Sequence, residues 1–172
     1  GNAKGVLAYV VNELRVGSRT TPYSLVAALG APLSTLLRYP PESELEDDEI
    51  IVNSWLAEDL KVVSGDELTI TYFVLGPMRQ LKKESRAFRV RAVVALAGAA
   101  ADPDLMPAIP GFTDSEHCRD WDPGIPIDLA RIREKDERYW DKYHGTPKAF
   151  VTLAAGKQMW ANRFGNLTAV RY

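Results

Sequence analysis

Two runs of alternating apolar residues, separated by a basic connector, constrain this chain more than any other feature. Leu68, Ile70, Tyr72 and Val74 alternate with Thr69, Thr71 and Phe73, and Phe88, Val90, Ala92 and Val94 alternate with Arg89, Arg91 and Val93. Successive side chains of a strand point to opposite faces, so each run predicts a strand with one apolar face. Their matching lengths and the charged link between them predict an antiparallel pair. Just upstream, residues 49–52 predict a short β run. Asn53 or Ser54 can cap a following helix, because a short side-chain oxygen accepts a bond from the first free backbone N–H groups. Trp55, Leu56 and Leu60 give that helix an apolar side, and Ser64-Gly65-Asp66 is turn chemistry.

The rest of the chain falls in around this centre. Residues 6–14 predict a strand and residues 15–21 a polar connector. Residues 22–29 fit a strand or a helix; Pro22 as a first strand residue and the nearby Tyr9-Val10-Val11 favour a strand in a hairpin. Residues 34–38 allow one helical turn. Residues 42–49 hold six acidic side chains in eight positions, the pattern of a solvated surface loop. Residues 76–86 carry Arg79, Lys82, Lys83 and Arg86 against Glu84 alone. They are expected to be an exposed hairpin tip guarded against edge pairing, with contact to an acidic partner or anionic lipid as the functional alternative. Residues 98–127 are rich in Pro and Gly, and apolar anchors within them predict an ordered excursion over the core. Residues 128–143 predict the longest helix, with Asp128 as N-cap and Leu129, Ile132, Tyr139, Trp140 and Tyr143 near one face, although Asp136 interrupts that stripe. His144-Gly145 stops it. A strand at 149–153, a short helix at 154–162 and a closing strand at 167–172 follow. The fold class is therefore α+β: a mainly antiparallel or mixed sheet with several short helices and one longer one.

Composition narrows the function. The chain has 172 residues, a formal net charge of −2 and one cysteine, Cys118. There is no electrostatic case for nucleic acid, and an intrachain disulfide is impossible. The longest apolar run, residues 92–101, is too short to cross a bilayer. The Gly1-Asn2-Ala3 start and the stop straight after a strand-like run suggest a piece cut from a longer protein.

The densest cluster of reactive groups is Asp114, Glu116, His117, Cys118, Asp120 and Asp122. Adjacent residues such as His117 and Cys118 diverge in most backbone conformations, which does not suit zinc. The alternating Asp120 and Asp122 lack the glycine turn and distal glutamate of a calcium loop. A nucleophile–base pair of Cys118 with His117 or His144 is weighed against the commoner role of a lone cysteine as a small buried apolar residue. No glycine-rich phosphate loop is present. The expectation is no catalytic residue, no metal and no cofactor. Trp121, Tyr139, Trp140 and Tyr143 are expected to fill a core or clamp a loop to it. Phe112 and Trp121 are the candidates for partner contact.

The ordered set Ile50-Ile51-Val52-Asn53, Leu56-Ala57-Glu58-Asp59-Leu60, Gly65-Asp66-Glu67-Leu68-Thr69-Ile70 and Phe88-Arg89-Val90-Arg91-Ala92-Val93-Val94, with residues 147–160 as a closing strand and helix, resembles the extracytoplasmic domain of FtsX-like (MacB/LolE-type) ABC-transporter permeases. The resemblance implies two parts: residues 1–48 as a reduced remnant of a porter-like lobe, and residues 49–172 as a β-rich extracytoplasmic subdomain with the long loop 98–127. It implies a non-enzymatic fragment of a bacterial cytoplasmic-membrane protein, held on the periplasmic or extracellular side and flanked by membrane helices. The domain would pass ATP-driven motion to a substrate or partner outside the membrane. Its implied partners are a cognate ABC ATPase, a second permease copy, and a periplasmic adaptor, lipoprotein or cell-wall hydrolase. The competing classes are a secreted or periplasmic hydrolase with its site on residues 111–126, and a free-standing ligand-binding module.

Overall fold

In the computed structural model, residues 4–30, 44–75, 78, 80–97, 114–121, 126–160 and 169–171 are described. The expected helical turn at 34–38, Phe112 and most of the 98–127 excursion lie outside them.

The first two strands, β1 (Lys4–Val16) and β2 (Arg19–Leu29), form a long antiparallel hairpin paired from Val6↔Leu29 to Val16↔Arg19. The expected connector at 15–21 is in fact mostly strand. Gly17 adopts φ +61°, so the chain reverses in two residues and the ladder runs almost to the turn. Pro22 lies inside β2, opposite Glu13. Inward alternation through Leu7, Tyr9 and Val11 resumes out of phase at Leu14 and Val16, with no change of register against β2.

β3 (Glu49–Asn53) runs straight into α1 (Ser54–Leu60), and Asn53 is the cap: its Oδ1 accepts from Leu56 N at 2.8 Å. The helix ends on Lys61 in the left-handed conformation, and Arg19 Nε donates to the Leu60 carbonyl at 2.6 Å. β4 (Glu67–Leu75) and β5 (Leu81–Val94) pair antiparallel from Glu67↔Arg89 to Leu75↔Leu81. Regular structure therefore reaches much further into the connector at 76–86 than its polarity suggests. Cross-strand side chains hold this outer ribbon: Thr71 and Ser85 share a hydroxyl bond at 3.1 Å, and Lys83 lies over the Phe73 ring. The last elements are α2 (Glu134–Tyr143), β6 (Ala149–Thr152), α3 (Leu153–Trp160) and β7 (Ala169–Arg171).

The sheet does not stay open. β1, β2, β6, β3, β5 and β4 pair in that order, and β4 returns to β1, closing a six-stranded barrel. β7 adds to β1 beyond the β4 contact. The β2–β6 and β3–β5 pairs are parallel and the others antiparallel, so the mixed α+β class holds, with closure added. Strands on either side of residue 48 share the same barrel wall. The interior is solid. Leu14, Ile50, Leu68, Ile70 and Phe88 are fully buried or nearly so, and they belong to one cluster that also takes in Leu56 and Leu60 of α1 and Met159 and Trp160 of α3. α1 stoppers the end that carries the β1–β2 turn. α3 stoppers the other end, where Trp160 stacks on Tyr9 with ring centroids 4.5 Å apart.

Two further sequence expectations need correcting. The longest helix does not run over 128–143. Asp128 caps only a short 3₁₀ turn (Leu129–Arg131), and α2 starts at Glu134. Asp136 reaches back to Arg133 N at 2.9 Å, a stronger start signal than Asp128, and Leu129 is exposed rather than part of the packed face. Glu49 is no part of a solvated loop. It is 3% exposed in β3 and ion-paired with Arg89 at 3.1 Å and Arg91 at 3.2 Å from the parallel neighbour β5. Burial opposes its charge, but the Glu46 N–H and the two guanidinium groups hold its carboxyl below the usual range.

Candidate functional site

The polar groups that the sequence scatters most widely meet at the α1 end of the barrel. Asp59 points away from the inward-facing Leu56 and Leu60. Arg133, just before α2, presents both terminal nitrogens to it at 3.1 and 2.7 Å. Thr21 Oγ1 and Lys135 Nζ also donate to this carboxylate. The same guanidinium grips Asp136 at 2.9 and 2.8 Å, so one planar fork serves two buried carboxylates. Burial by itself would raise the Asp59 pKa. The donors from Arg133, Thr21 and Lys135 outweigh that and bring it down to about 2. Burial likewise disfavours the Arg133 charge, and Asp136 and Asp59 more than compensate, raising its pKa.

Lys148 lies behind this pair. Its backbone is stitched between two strands, with its N–H on the Leu25 carbonyl at 3.0 Å and its carbonyl accepting from Asn53 N at 2.9 Å. That anchoring drives the side chain inward. Its ammonium donates to Ser24 Oγ at 3.0 Å and lies 4.7 Å from the Trp55 ring and 4.5 Å from the Tyr139 ring. Burial lowers its pKa to about 8, against the pull of Asp136. Tyr139 is held protonated by burial; its hydroxyl accepts from Asn53 Nδ2 and donates to the Thr146 carbonyl at 2.8 Å. The space among Tyr23, Ser24, Trp140, His144 and Lys148 is about 10 Å³, enough for no more than a water. An amine with a lowered pKa is a potential nucleophile, but no substrate fits beside this one. What the layer does is fasten α2 to the barrel.

Outside it, Trp55, Glu58, Asp59, Lys61 and Lys135 line an open groove of about 260 Å³. Trp55 forms its apolar wall and backs onto Lys148. Lys61 is oriented there by its left-handed backbone at the end of α1.

Beyond α2, the sequence cluster separates over residues 114–121 as adjacent residues should, and Asp122 lies outside the described residues. Cys118 is fully buried in a second apolar cluster with Val10, Tyr23, Leu25, Trp121 and Trp140, while His117 stays half-buried outside it. Burial, followed by the nearby Glu137 carboxylate, pushes the Cys118 thiol far above its ordinary pKa, so it is protonated at neutral pH. Trp121 is 9% exposed and packs edge-on against Trp140 at 5.0 Å. The aromatic clamp foreseen for Trp121, Tyr139 and Trp140 is formed, and His144 stacks on Trp140 from the other side. Sequence reasoning missed Lys148, Asp59 and Arg133. The only signal was Asp136, the acidic residue breaking an apolar helix face.

No family model matches the chain, and no curated protein is similar to it. Among solved structures, it is weakly similar to the periplasmic region of MacB from Actinobacillus actinomycetemcomitans, with 11% identity and a TM-score of 0.38 over 55% of this chain. The chain spans 44% of that structure's length. No helix among the described residues is long and apolar enough to cross a membrane.

Proposed function

We propose that this chain is a non-catalytic, extracytoplasmic domain of an FtsX-like or MacB-like ABC permease, which passes motion from its membrane helices to a partner outside. The observation that carries this is mechanical. A barrel filled with side chains, stoppered at both ends and locked to α2 by the Asp59–Arg133–Asp136 layer, moves as one body. Its buried charges are spent on each other rather than aimed at a substrate. The ordered strand and helix motifs from Ile50 to Val94 support the same reading. The implied partners are the ATPase, a second permease copy and an extracytoplasmic protein; of the two contact candidates, Phe112 stays a proposal, while Trp121 is taken up by its packing against Trp140.

The test uses the natural polypeptide that contains this chain, expressed in a bacterial membrane. Met78, 91% exposed on the hairpin tip, is replaced by cysteine and treated with a membrane-impermeant maleimide. Buried Cys118 keeps the background low. Labelling of intact spheroplasts and co-purification of an ABC ATPase are expected. Labelling only after lysis, or recovery of the polypeptide free of membrane, would refute the proposal. The groove beside Trp55 favours a second reading, a free-standing ligand-binding module. That reading requires a soluble polypeptide whose Trp55 fluorescence responds to a small-molecule ligand in the groove.

A further inference from the structure

We infer that His117, Glu137 and Asp141 form a binding site for a divalent transition-metal ion of the zinc class, which pins the segment 114–121 to α2. One ligand atom from each of the three residues lies within 4.8 Å of the other two. Sequence reading set His117 aside because Cys118 cannot join it. The fold supplies other ligands, two acids one helical turn apart on α2.

Three further observations support the site. First, the carboxylates are uncompensated. Glu137 and Asp141 are like charges at i,i+4, an arrangement that destabilises a helix, and Asp141 lies in the last turn, where the helix dipole disfavours an anion. Among the described residues neither forms an ion pair with Lys or Arg; Arg138 turns to Glu134, and Lys142 lies over Tyr143. A cation between them removes both penalties. Second, the segment bearing His117 is fastened on each side of it. Trp140 Nε1 donates to the Ser115 carbonyl at 2.9 Å, and the Cys118 N–H reaches Glu137 Oε2 at 3.4 Å. Cys118 and Trp121 are buried against the same helix. The imidazole is thus held over the acids, and Glu137 already has the backbone donor that orients a metal-binding carboxylate. Third, among the described residues no hydrogen bond or ion pair joins His117 to Glu137 or Asp141, although their ligand atoms lie within 4.8 Å of one another. An ion bound at about 2.0–2.2 Å from each atom requires ligand atoms about 3–4 Å apart, a closure that side-chain rotation provides.

One imidazole and two carboxylates suit zinc, cobalt or manganese. Calcium and magnesium favour all-oxygen shells. Three protein ligands leave one position to water, on the exposed side next to Asp141. The site is independent of the permease reading, since it holds a loop to a helix whatever the domain moves or binds.

The experiment titrates chelator-stripped protein with Zn²⁺ against a chromophoric chelator, and follows thermal unfolding with and without the ion. One equivalent bound and a raised Tm are expected. His117→Ala and the double variant Glu137→Gln/Asp141→Asn should each weaken binding by about tenfold or more and abolish the Tm gain. With Co²⁺, the spectrum should lack a thiolate charge-transfer band, because Cys118 is not a ligand. Failure to bind one equivalent, binding that survives His117→Ala, or a thiolate band would each overturn the assignment. The variants alter half-buried or exposed side chains, so circular dichroism is expected to show them folded, and a binding loss can be assigned to the ligands.

Discussion

The two ends of the barrel are closed by opposite chemistry. At the α3 end the stopper is apolar and close-packed. Trp160 stacks on Tyr9 and meets Tyr72 edge-on at 5.6 Å, and Gly156 lies so close to β2 that a Cβ there would come within 2.3 Å of the Ala28 side chain. At the α1 end, Leu56 and Leu60 fill the mouth, but the outer side of the helix is bound by charge, through Asp59 to Arg133 and Arg133 to Asp136. An apolar stopper depends on shape alone, so it tolerates no added volume. A charged one depends on completeness, because any member left unpaired is stranded in a poor solvent for charge. The first is insensitive to pH. The second is not.

That contrast can be broken at the charged end first. Arg133→Leu leaves Asp136 without a cation and Asp59 with Lys135 and Thr21 alone, and should cost about 3 kcal/mol in urea unfolding at pH 7; a loss below about 1 kcal/mol would contradict the role given to this guanidinium. Next is the apolar end. Gly156→Ala should cost about 3 kcal/mol with no dependence on pH, because backbone or Ala28 must move to seat the methyl. Asp59→Asn should cost about 2 kcal/mol at neutral pH. The Asp59 pKa is depressed by folding, so its contribution is full above the unfolded value and fades as the pH falls toward about 2. The gap between wild type and variant should therefore narrow in acid, and a gap that stays constant down to pH 2 would contradict the charge layer. The smallest effect has the opposite sign. The Lys148 pKa is lowered by folding to about 8, so below that pH both states carry the proton and the burial cost is paid in full. Between about pH 8 and the unfolded lysine value the unfolded chain holds the extra proton, and stability should rise with pH. Lys148→Met should be neutral or up to about 2 kcal/mol stabilising and should remove that rise, since Ser24 keeps its bond to the Pro22 carbonyl and Asp136 keeps Arg133.

Local patterns were legible in the sequence wherever neighbours in the chain determine the outcome. The β4 and β5 alternation, the Asn53 cap and the Gly65 turn follow from side-chain periodicity and backbone preference within a few residues. The end of α2 at Tyr143 was legible, but its start was misread, because Asp128 reads as the cap in sequence while the capping box of Arg133 with Asp136 sets the first turn. Glu49 was misplaced because it follows an acidic run in sequence, while its counterions lie 40 and 42 residues away on β5.

The sequence alone therefore determined the hairpins and the helix start near residue 54, because these rest on contacts between near neighbours, whereas the parallel β2–β6 and β3–β5 pairs that make the sheet mixed join residues far apart in the chain. Closure of the barrel and the charge layer belong to the tertiary structure. Asp59 meets Arg133 across 74 residues and Lys148 meets Ser24 across 124, and only the return of β4 to β1 and of β6 to β2 brings those groups together. A charge is read in sequence as a surface residue. It becomes part of a core only when the fold delivers its partner.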